Sequence, residues 1–113
     1  MPAAVDLEHL SRYTGGDQAL NAEVLSLFDH QTTELVARLR DILQARDVKA
    51  WKQITHTLKG AARGIGAFQF ADAAAAAEPI DPGRDHNAAA IALDSMTVRS
   101  AEVQDFIRLY LAR

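Results

Sequence analysis

Residues 47–71 read DVKAWKQITHTLKGAARGIGAFQFA, and their periodicity decides the fold. Asp47 is a residue type that caps helix N-termini, and Trp51, Ile54, Leu58, Ala61 and Ile65 then recur at helical spacing. Gly64 and Gly66 weaken the segment and predict its end. One apolar stripe needs partner helices, and the same punctuation recurs on both sides. Upstream, Asp6 predicts a short helix over 7–14 that stops at Gly15-Gly16. Asp17 then opens a long one to about Ala45, with Leu20, Val24, Leu27, Phe28, Leu35, Leu39 and Ile42 as its expected inner face. Downstream, an alanine-rich helix over about 68–78 ends before Pro79. Asp85 then starts a last helix with Ile91, Met96, Val103, Ile107 and Tyr110 inward. Four long amphipathic helices joined by short turns predict an all-α, antiparallel up-and-down four-helix bundle, with a short additional N-terminal helix across one end.

Composition agrees. The chain has 113 residues, of which 22 are alanine and 6% aromatic, a balance that favours helix over strand in one domain, 1–113. The AAAAA run at 73–77 fits close helix packing better than low complexity. Cysteine is absent, which excludes thiol chemistry and thiolate metal sites. No apolar run is long enough to span a membrane, and the N-terminal residues lack the pattern of a signal peptide, so a cytoplasmic protein is expected. The formal charge of −3 argues against a general nucleic-acid binder. Neither His9, His30 nor His86 has ligand spacing for a bundle metal site.

The net charge conceals an uneven distribution. Residues 48–71 hold no Asp or Glu, yet they hold Lys49, Lys52, Lys59 and Arg63. At about 100° per residue, these four and Gly60 all fall within about 60° of His56, opposite the core stripe. Lys59 and Arg63 repel at i,i+4 by about 0.2–0.5 kcal/mol, and Gly60 costs about 1 kcal/mol against alanine. Local features that cost helix stability mark a candidate site. An exposed imidazole is a nucleophile for phosphoryl groups, cations would neutralise the oxygens, and Gly60 would let a partner approach closely. The competing reading is a solvated basic face with an incidental histidine.

The segment from His56 through Leu58, Lys59 and Gly60 to Gly66-Ala67 resembles the signature of histidine-containing phosphotransfer (HPt) domains: H-x-L-K-G, two small residues, then an apolar residue and Gly-Ala. The resemblance extends over most of the chain and implies a four-helix bundle. It implies that His56 is phosphorylated, that Lys59 supports the phosphoryl group, and that Gly60 leaves room for the partner. Glu78 stands where some members carry a glutamate or glutamine that hydrogen-bonds the other imidazole nitrogen. A chain reversal near Gly66 puts His56 and Glu78 about 15–18 Å from the turn on neighbouring helices, which permits the contact. Glu78 could equally be a surface residue at a helix end. Departures from the signature are small: Ala61-Ala62 for serines, Thr55 for alanine, and the less usual Gly64.

The expected function is therefore a phosphorelay intermediate. It would take a phosphoryl group from a response-regulator receiver domain and pass it to another, in pathways fed by a sensor or hybrid histidine kinase. Lys49, Lys52 and Arg63 are expected to contact the partner. No cofactor is expected, since Mg²⁺ would come with the receiver and no glycine-rich nucleotide loop is present. Membrane and nucleic acid are not expected as partners, and a monomer is expected. Two alternatives stay open: an HPt domain of a longer sensor kinase of the chemotaxis type, and a helical adaptor that is not phosphorylated.

Overall fold

The structure, a computed structural model, describes residues 3–113. Five helices follow one another: α1 (Leu7–Thr14), α2 (Gln18–Ala45), α3 (Val48–Ile65), α4 (Phe68–Ala77) and α5 (His86–Leu111), with no strand among the described residues. Four of them start at an aspartate whose carboxylate accepts a backbone N–H of the first turn. Asp6 takes His9, Asp17 takes Leu20, Asp47 takes Ala50 and Asp85 takes Ala88, all at 3.0–3.1 Å. These caps lie where the aspartates of the sequence put them. α4 has no side-chain cap and follows α3 at once, after Gly66 closes that helix in the left-handed region.

α2, α3, α4 and α5 pack as a ring of neighbours closed by α2 against α5, the up-and-down bundle that was expected. Phe28 and Phe70 meet edge to face across its middle, with ring centroids 6.2 Å apart. Ala71, Ala74 and Ala77 are buried, so the alanine run does place small residues inward. α1 lies against α2 and α3. It is pinned by buried Val5 and by the Asp6 N–H, which donates to the Gly66 carbonyl at 2.9 Å.

The inner faces of α2 and α5 depart from expectation. α2 buries Asn21, Leu25, Phe28, Thr32, Val36, Leu39 and Leu43, while Leu20 and Leu27 face solvent. α5 buries Ala89, Leu93, Met96, Ser100, Val103, Ile107 and Tyr110, and Ile91 is exposed. In both helices polar or small members (Asn21, Thr32, Ala89, Ser100) interrupt the true stripe and disguise it. Leu20 and Leu27 belong to the outward face of α2, whose further members Gln31, Glu34, Arg38 and Asp41 are exposed as well. In α3, Ala62 takes the core place expected of Ala61, which is half-buried.

Candidate functional site

α3 and α4 bring the site together. Trp51, wholly buried, donates its indole N–H to the Ala77 carbonyl at 2.9 Å. That carbonyl, in the last turn of α4, also accepts the Ile80 N–H at 3.1 Å, and the indole bond satisfies the buried Trp51 N–H and fixes the α4 terminus against α3. The next residue is Glu78. Beneath His56, buried Thr55 turns its hydroxyl inward and donates to the Trp51 carbonyl at 2.8 Å.

His56 stands on the outer face of α3 with its side chain 69% exposed. Its Nδ1 lies 2.8 Å from Glu78 Oε1, and Lys59 Nζ donates to Glu78 Oε2 at 2.6 Å. One carboxylate thus bridges the imidazole and the ammonium. Lys59 first, and His56 second, hold the Glu78 carboxyl below the usual carboxylate range, so it is ionised at neutral pH. An ionised carboxylate only accepts, so Nδ1 is the donor and carries a proton. In the neutral ring the lone pair is then on Nε2, which points away from Glu78.

The expected ring of positive charge is thereby modified. No carboxylate on α3 offsets it, but Glu78 from the end of α4 neutralises Lys59. Lys49, Lys52 and Arg63 are exposed on α3 and have no ion pair among the described residues. Gly60 and Gly64 are exposed too, and a Cβ at either would meet nothing within 4 Å. Neither glycine is required by packing inside the chain. The Lys59–Glu78 pair and the Trp51–Ala77 tie were not read from the sequence. Trp51 gave a signal for the second, because a buried indole N–H needs an acceptor.

The family model described as the Hpt domain matches residues 23–109, from within α2 to near the end of α5. The chain belongs to the Hpt domain family. Hpt domains are four-helix phosphocarrier modules of phosphorelay signalling, which work with receiver domains and kinases and are not catalytic enzymes. No curated protein matches the chain. Among the described residues of this Hpt domain, no helix is long and apolar enough to cross a membrane.

Proposed function

We propose that this Hpt domain is a phosphorelay intermediate carrying its phosphoryl group on His56 Nε2, taken from a receiver-domain phospho-aspartate and passed to a second receiver. The observation that supports this most is the bridging Glu78, which keeps a proton on Nδ1 and leaves Nε2 as the free nitrogen on the exposed side of the ring. The Nε2 lone pair attacks phosphorus in line. The P–O bond to the receiver breaks, the aspartate leaves as a carboxylate, and an N–P bond forms. The Nδ1 proton stays under Glu78 throughout, where the carboxylate stabilises the positive charge that the ring acquires. Transfer onward reverses these steps.

Lys49, Lys52 and Arg63 draw in the acidic phosphorylated surface, and Gly60 lets the partner's backbone come close to the imidazole. Mg²⁺ belongs to the receiver in this reading. The test is to incubate the protein with receiver domains bearing labelled phosphate and follow the label. His56→Gln abolishes acceptance if the reading is right. A variant that accepts phosphate as well as the wild type overturns it.

A further inference from the structure

Glu78 is the last link in a chain of contacts that begins at Trp51. The indole N–H donates to the Ala77 carbonyl at 2.9 Å, and the next residue, Glu78, reaches back to Nδ1 of His56 at 2.8 Å. Trp51 and His56 are five residues apart on the same helix, about 7.5 Å along its axis. Trp51, Ala77, Glu78 and His56 therefore close a ring through the backbone of α3, with the tryptophan as its buried member. Trp51 is itself held: it is wholly buried, and its carbonyl accepts the Thr55 hydroxyl at 2.8 Å.

Little else sets the direction of the α4 terminus. Within α4 the last large side chain is Phe70, eight residues and about 12 Å before Glu78. The buried residues after it, Ala71, Ala74 and Ala77, each offer a single methyl group. Helix α4 has no side-chain cap at its start, and Pro79 has no N–H with which to continue the ladder. Ile80 and Pro82 pack beyond the terminus, but apolar burial is non-directional. Lys59 reaches Glu78 on a flexible stem, which follows the carboxylate and does not fix its place. The bond to Nδ1, by contrast, weakens steeply once its angle or length drifts. The indole bond is the rigid and directional restraint beside Glu78.

We propose that Trp51 is a positioning residue for phosphotransfer: through the Ala77 carbonyl its indole N–H holds Glu78 on Nδ1, and so keeps the His56 lone pair on Nε2. No bond to Trp51 is made or broken in the reaction. The kinetic half of this assignment rests on the proposed phosphorylation of His56, whereas the tautomer is a property of the unmodified protein.

Because Trp51 is the chain's one tryptophan, a tryptophan auxotroph fed 3-benzothienylalanine replaces it alone, with sulfur in place of the N–H and the shape kept. Trp51→Phe removes the same donor by mutation, and Phe28→Leu, a core substitution on α2, is the control for lost packing. Each protein is labelled with ¹⁵N-histidine, and the His56 ring nitrogens are read at alkaline pH, where the ring is neutral. The rate of phosphoryl uptake from a phosphorylated receiver is measured beside them. The isostere and Trp51→Phe lower the ratio of Nδ1–H to Nε2–H tautomer about tenfold, as loss of a hydrogen bond to a charged group requires, and slow uptake severalfold. Phe28→Leu lowers the melting temperature and keeps the wild-type ratio and rate. A wild-type ratio or rate in the isostere, or an equal change in Phe28→Leu, overturns the inference. Wild type that shows the Nδ1–H tautomer yet takes phosphate from neither a receiver nor phosphoramidate overturns the proposed function and leaves the tie to Glu78 standing.

Discussion

Glu78 carries more of the site than its place at the end of α4 would suggest. Because Lys59 and His56 lower its pKa, its ionised form stabilises the fold at pH values above the ordinary carboxylate range. That contribution is lost as pH falls through the lowered value. Glu78→Gln keeps an acceptor for Nδ1–H but removes the charge. The variant's melting temperature is expected to fall less steeply than the wild type's between about pH 5 and pH 3, read by thermal unfolding across that range. Equal slopes would show that the bridge is absent in solution. At this scale the sequence was informative about the reacting atom and less so about its neighbours. His56 and Gly60 stand out by spacing and by their cost to the helix. Which carboxylate captures a flexible ammonium is decided by the packing of α4 on α3, and no local pattern around Lys59 encodes it.

Glycines distinguish what the helices need from what a partner needs. Gly66 closes α3 with φ +86°, and a Cβ there would come within 2.7 Å of the Asp6 carbonyl oxygen. Gly66→Ala is expected to cost about 1–3 kcal/mol by urea unfolding. Gly60 and Gly64 are helical and face open space, so alanine at either should stabilise by up to about 1 kcal/mol, or raise the melting temperature by about 4 °C. For Gly60→Ala the gain should come with slower transfer from a receiver. A variant that is both more stable and fully active would remove the case for close approach at that position. Helix limits were legible because the aspartate caps and terminating glycines act locally. Core faces were less so. Thr32 and Ser100 look like surface residues, and Leu27 and Ile91 look like core, until the neighbours of α2 and α5 are known.

Over the molecule as a whole, a net charge of −3 coexists with one face from which acids of α3 are missing. Fields from exposed charges are screened over about 10 Å at 0.1 M salt. Association with an acidic receiver should therefore slow as salt rises, and replacing both Lys49 and Lys52 by glutamine should flatten that dependence. Stopped-flow association rates at several ionic strengths measure it, and a wild-type rate indifferent to salt would argue for docking through apolar contacts alone.

Trp51 is the chain's one tryptophan; it stands five positions before His56 on α3, and its indole is hydrogen-bonded to the α4 residue before Glu78. The protein thus contains its own optical reporter. Fluorescence emission registers separation of α3 from α4 without a dye or tag, so a variant that has lost phosphotransfer through loss of the site's scaffold can be told from one whose scaffold is intact.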